Sequence, residues 1–225
     1  MRLDKFLSEC TPMSRKEIKS AVKAGKITVN GAFAKAADMK IDESSDEIIF
    51  SGERIEYKKF IYLMMNKPAG YVSANEDKHY PVVIDLLPEK YRHYNPFCVG
   101  RLDIDTEGLL LLTNDGEYAH KMTSPKKEVY KRYFARLDKP AEEKDIEIFK
   151  NGIEFKEYTT KPAVLEITEN PDEVYVNICE GKFHQVKKMC AYVGKEVVYL
   201  KRVSIGDIIL DENLGLGEVK EIYIQ

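Results

Sequence analysis

Three acidic residues at alternate positions, Asp103, Asp105 and Glu107, stand in the stretch GRLDIDTEGLLLLTNDG (100–116), just ahead of the apolar run Leu109 to Leu112. An extended backbone points every second side chain the same way, so these carboxylates would share a side and need positive charge nearby to coexist. A polar, acid-bearing turn that runs straight into a buried strand sits at a cleft edge. The competing reading is a loop whose carboxylates cap a turn or the next element.

Three other segments carry residues able to serve such a carboxylate. In EGKFHQVKKMCAYVG (180–194) helical spacing turns Val186, Met189, Cys190 and Val193 inward, with His184, Lys187 and Lys188 on the other side. That side is either a solvated basic face or part of a site. It is no metal centre, because no second histidine or cysteine has suitable spacing. In EVYKRYFARL (128–137) strand alternation puts Val129, Lys131, Tyr133 and Ala135 on one face, where a tyrosine is usually core. FIYLMMNKPAGYVS (60–73) reads as a strand and a rigid turn, in which Pro68 fixes φ and Gly70 frees it; Lys67 is left open between phosphate contact and solvation.

These segments need a scaffold, and local pattern gives two domains. Ser14 and Glu17 have capping-box spacing, Ile18, Ala21 and Val22 recur for burial, and Gly25 ends the helix. Arg15, Lys19, Lys23 and Lys26 fall on another face as a basic stripe, and Asn30-Gly31 suits a two-residue hairpin turn. SGERIEYKK (51–59) is polar and unpatterned, which divides the chain into 1–52, a linker at 53–59 and a second domain at 60–225. The second domain has strand-like runs at FIYLMMN, GLLLLTN, VYKRYFARL, AVLEIT, EVYVNIC and EVVYLKRVSIG. Helical runs are fewer, at 117–122, 141–150 and 183–193, without regular strand–helix alternation. The expected fold class is α+β, a mostly antiparallel mixed sheet flanked by helices.

Composition bounds the partners. A net charge of −3 argues against indiscriminate coating of nucleic acid, yet residues 1–40 hold nine Lys/Arg against four Asp/Glu, so any nucleic-acid footprint should begin there. No apolar run approaches the roughly 20 residues of a membrane span, and the start MRLDKFLSEC is charged where a signal peptide would be apolar. The expectation is a cytosolic (cytoplasmic) monomer with no membrane association. Cys10, Cys98, Cys179 and Cys190 are scattered, form no C-x-x-C pair, and are expected to be reduced.

The string at 100–116 closely resembles the G-R-L-D-x-D-T-x-G-L-L-L-L-T element of the RsuA-type pseudouridine synthases, and 1–52 resembles an S4 RNA-binding domain through MRLDKFL, SRKEIKSAVKAGKITVNG and DEIIF. The segments at 60–73, 128–137, 180–194 and 197–206 are similar to further elements of that family. The resemblance implies an enzyme that isomerises uridine to pseudouridine in small-subunit (16S) ribosomal RNA, at the uridine equivalent to bacterial position 516. It makes Asp103 the catalytic carboxylate, Tyr133 the residue that stacks on the uracil and serves in proton transfer, and Lys187 the cation that pairs with Asp103. Tyr130 replaces Tyr133 if the strand register slips. Arg101, Lys67, His184, Gln185 and Lys188, with Arg15, Lys19 and Lys23 on the S4 helix, are expected to bind the RNA. No cofactor and no metal are required, because product and reactant have the same composition. Two other readings stay open: a synthase for large-subunit (23S) ribosomal RNA, and a non-catalytic S4-type RNA-binding or ribosome-assembly factor.

Overall fold

A computed structural model describes residues 1–224 and divides into two compact units, Met1–Ile61 with Leu87–Pro96, and Tyr62–Leu86 with Phe97 onward. In the first unit α1 (Leu3–Cys10) and α2 (Arg15–Lys23) pack on a four-stranded antiparallel sheet. Its strands are β1 (Ile27–Val29), β2 (Ala32–Phe33), β3 (Ile48–Phe50) and β4 (Glu53–Ile55), in the order β2-β1-β3-β4. The capping box is formed: the Ser14 hydroxyl accepts from the Glu17 amide at 3.3 Å, and the Ser14 amide donates to Glu17 Oε2 at 2.8 Å. Ile18, Ala21 and Val22 join Leu3, Phe6, Leu7 and Ile48 in one apolar cluster, while Arg15, Lys19 and Lys23 stay exposed. Asn30 and Gly31 both take positive φ, 52° and 78°, as the tight hairpin between β1 and β2 requires. Two expectations are corrected here. Lys26 lies beyond the end of α2, and Glu53–Ile55, expected to open a linker, pairs with β3 as an edge strand. A short α3 (Glu89–Arg92) also belongs to this unit.

The second unit is built on a nine-stranded mixed sheet. Its strands are β5 (Tyr62–Lys67), β6 (Phe97–Val99), β7 (Glu107–Thr113), β8 (Lys131–Leu137), β9 (Val164–Ile167), β10 (Glu173–Ile178), β11 (Val197–Ile205), β12 (Ile208–Ile209) and β13 (Val219–Glu221). The order is β13-β5-β7-β11-β8-β10-β9, with β12 on β11 and β6 on β7. Every pairing is antiparallel except β7 with β11. Each strand-like run expected from the sequence overlaps one of these strands. The helices are α4 (Gly116–Thr123), α5 (Glu143–Asn151) and α6 (Gln185–Tyr192), the α+β arrangement that the runs implied.

Strands β7 and β5 are buried on both faces, which is why their sequences read as continuous apolar runs and do not alternate. The parallel contact between β7 and β11 is unusually close: a Cβ on Gly108 would stand 2.2 Å from the Arg202 carbonyl oxygen, and Gly108 has φ +99°. Only glycine fits there. Among the described residues no helix is long and apolar enough to cross a membrane.

Candidate active site

Four chain segments meet at one cavity of about 660 Å³ in the second unit, lined among others by Arg101, Asp103, Lys131, Tyr133, Phe183, His184 and Arg202. That volume lies within the roughly 300–1,000 Å³ of small-molecule sites. A smaller recess beside it adds Lys187 to Asp103 and Tyr133. Asp103 is half-buried, its side chain 27% exposed, and two basic side chains approach it: Lys187 Nζ at 3.7 Å from Oδ2 and His184 Nε2 at 3.6 Å from Oδ1.

Lys187 is not devoted to Asp103. Its shorter contact, 2.5 Å, is to Asp105 Oδ1, so one ammonium bridges both carboxylates of the turn. Burial works to raise the Asp105 pKa, but the hydrogen bond and charge of Lys187 outweigh it and hold the carboxyl below its ordinary value. Glu107 turns elsewhere and accepts a hydrogen bond from the Tyr199 hydroxyl at 2.8 Å. Residues 103–106 form a turn, closed by the Thr106 amide on the Asp103 carbonyl at 3.1 Å, where simple alternation would have been extended.

The backbone under Asp103 is held by a residue expected at the RNA surface. Lys67 is fully buried, and its ammonium donates to the carbonyls of Pro68, Asp103, Ile104 and Thr106 at 3.0, 3.1, 3.3 and 2.9 Å. The expectation of a phosphate-contacting or solvated Lys67 is therefore corrected: it is a strut that fixes the acidic turn from inside. Burial pushes its pKa down to about 8. Ser73 adds a second tie, its hydroxyl donating to the Leu102 carbonyl at 3.0 Å and accepting from the Leu102 amide at 3.1 Å.

On the opposite wall His184 sits with φ 52°, ψ 35° at the N-cap of α6, a left-handed conformation uncommon outside glycine. This bend turns the imidazole toward Asp103, and the exposed Phe183 ring stacks on it with centroids 3.8 Å apart. Gln185, the other expected RNA contact in this segment, is buried; its Nε2 donates to Glu180 Oε1 at 2.8 Å and its Oε1 accepts from the Lys182 amide at 2.9 Å. It braces the bend and is corrected to an internal role.

Two known protein families match parts of the chain. RNA pseudouridylate synthase matches residues 61–192, which holds most of the cavity lining, and the S4 domain matches residues 1–48. The chain belongs to the RNA pseudouridylate synthase family. An uncharacterized RNA pseudouridine synthase of Bacillus subtilis, YtzG, is 47% identical over 226 residues, covering 99% of this chain and 95% of that one. Ribosomal small subunit pseudouridine synthase A of Escherichia coli K12 is 37% identical over 224 residues, covering 99% and 96%. A crystal structure of a pseudouridylate synthase superposes with TM-score 0.69 at 38% identity, covering 99% and 96%.

Within this synthase the remaining expected residues divide by location. Tyr133 is 8% exposed and lines the cavity, paired across the sheet with Arg202, whereas Tyr130 is 54% exposed and lies outside the cavity lining. Arg101 is exposed at the rim with no ion pair among the described residues. Lys188 lies outside the cavity lining, with its ammonium 5.4 Å from the Phe183 ring centroid and 6.0 Å from that of Tyr158. Arg15, Lys19 and Lys23 stand exposed on α2 of the S4 unit. Val193, expected inward on α6, is its half-exposed C-cap. Sequence reasoning missed Ser73, Gly108, Phe183 and Arg202, which ordinary strand and helix patterns do not flag. Among the described residues no group of three His, Cys, Asp or Glu is arranged to hold a metal ion.

Proposed function

We propose that this synthase isomerises one uridine of small-subunit ribosomal RNA to pseudouridine, at the position equivalent to bacterial uridine 516, with Asp103 as the catalytic carboxylate. The observation that carries it is the convergence of Asp103, Tyr133 and Lys187, 30 to 84 residues apart in sequence: Asp103 and Tyr133 line a cavity of nucleotide-compatible size, and Lys187 joins them in the recess beside it. Several relatives aligned over nearly their whole length bear the small-subunit name, which supports the target.

The reaction breaks N1–C1′, turns the uracil and rejoins it through C5. A carboxylate at the ribose, a surface that retains the freed base and a group that moves the C5 proton suffice. Asp103 acts at the ribose, by attack on C1′ or removal of the C2′ proton, and Lys187 pairs with it and orients it. Tyr133 offers its ring as a stacking face and its hydroxyl for proton exchange. The target leaves its stack at a cost of a few kcal/mol, and Arg101 at the rim fills the gap or holds a phosphate, joined by His184 and Lys188. Arg15, Lys19 and Lys23 hold the surrounding RNA by shape and charge. The enzyme works as a cytosolic monomer.

Incubating the purified protein with separate 16S and 23S ribosomal RNA, followed by carbodiimide treatment and primer extension, checks this. A new stop at a single uridine of the small-subunit RNA is expected. A stop only in the large-subunit RNA would reassign the target, and no stop in free RNA or in assembling subunits would leave a binding factor.

A further inference from the structure

Arg202 lies in the middle of the sheet with an uncompensated charge. It is 2% exposed, on β11 directly opposite Tyr133, and its guanidinium carbon stands 6.0 Å from the Tyr133 ring centroid. Nε donates to the Leu109 carbonyl at 2.8 Å. Nη2 is enclosed without a hydrogen-bond partner, and no carboxylate forms an ion pair with the side chain among the described residues. Lys131, on the neighbouring strand, adds a second cation to the same cavity floor. Arginine does not shed its proton, and an enclosed unpaired cation costs several kcal/mol. Such a charge makes sense where its partner arrives with the substrate.

Two substrate groups are anionic during the reaction, the backbone phosphates and the detached base. The exposed Arg101 suits the former. Arg202, by contrast, is enclosed: it lies beside Tyr133 on the neighbouring strand and lines the same cavity, which suits the base that Tyr133 faces. Resting on the reading of Asp103 given above, we propose that Arg202 stabilises the uracil anion formed when the N1–C1′ bond breaks. Heterolysis leaves the electron pair on the base, as one negative charge spread over N1, O2 and O4. The base departs as the same anion whether an Asp103 oxygen bonds C1′ or takes the C2′ proton. C5 then donates a pair to C1′ as the bond from C1′ to the Asp103 oxygen breaks, or as Asp103 hands its proton back to C2′; the C5 proton leaves and N1 takes up a proton, so the base ends neutral and Asp103 is restored. A fixed donor in a water-poor site acts on such a developing charge without reorganisation.

Single-turnover rates and RNA affinity of Arg202→Gln and Arg202→Lys, beside the wild type, test this. The expected result is a rate at least about 100-fold lower for Arg202→Gln, with partial recovery in Arg202→Lys and RNA affinity and salt slope unchanged. RNA carrying 5-fluorouridine, whose base bears negative charge more readily, should show a smaller deficit, read as consumption of the 5-fluorouridine nucleoside. A loss in affinity with the rate intact would make Arg202 a phosphate ligand and overturn the proposal. So would equal deficits on both substrates, the mark of a merely structural role. If the wild type itself forms no pseudouridine, the Asp103 reading fails; if it does and Arg202→Gln matches it, only the Arg202 assignment fails.

Discussion

The two units handle positive charge in opposite ways. On α2, Arg15, Lys19 and Lys23 stand in line at four-residue steps, exposed and without ion pairs among the described residues, so their mutual repulsion is borne in solvent at a few tenths of a kcal/mol per pair. In the catalytic unit Lys67 and Arg202 are enclosed, and Lys187 is committed to two carboxylates. A solvated row acts through a summed field on any phosphate chain nearby, and each member is replaceable. An enclosed cation acts on a particular atom, and the structure around it depends on it. Substitutions should therefore be graded in the first unit and close to all-or-none in the second.

The largest loss is expected at Gly108. Alanine there meets the Arg202 backbone and carries a left-handed φ, so Gly108→Ala should lose more than about 4 kcal/mol in urea unfolding, together with activity. A loss below about 1 kcal/mol would mean that β7 and β11 can separate locally.

Lys67→Met comes next, on the order of 3 kcal/mol, because it leaves several buried carbonyls without a donor beneath Asp103. The effect has a definite pH dependence. The folded pKa is about 8 against an ordinary 10.5, so between those values the unfolded chain holds a proton that the folded chain has lost. This group's contribution to stability therefore rises with pH across that window, and the gap between wild type and Lys67→Met should widen in unfolding curves taken from pH 7 to pH 10. A gap independent of pH would show that the lysine titrates normally.

The smallest change per residue is expected on α2. Replacing Arg15, Lys19 and Lys23 together by Gln should weaken RNA binding and reduce the logarithmic salt slope by about 2, with single substitutions giving about a third of that. The single-turnover rate at saturating protein should stay within about twofold. An unchanged slope would remove this helix from the RNA interface.

The same contrast explains what the amino-acid order reveals. Elements set by neighbours a few residues apart were legible: the Ser14–Glu17 cap, the Asn30-Gly31 turn, and each strand-like run of the second unit. The acidic turn at Asp103 was legible because its residues are contiguous. Lys67 was not, because three of the carbonyls it binds lie 36 to 39 residues away and a lysine at a strand end looks solvated in any local window. Arg202 alternates correctly for a buried strand face, yet charge alone suggested no enclosure. Gln185 sits in a family-like string that draws attention to RNA, while its burial depends on Glu180 and on the left-handed bend at His184. The edge strand Glu53–Ile55 is too short and polar to register as a strand.

The carboxylate of Asp103 is the point on which the catalytic account turns, and Asp103→Asn tests it with almost no change of shape. With RNA tritiated at C5 of uridine, tritium release by the purified variant should fall to background while RNA affinity and the unfolding midpoint stay near those of the wild type. Release at the wild-type rate would contradict the account.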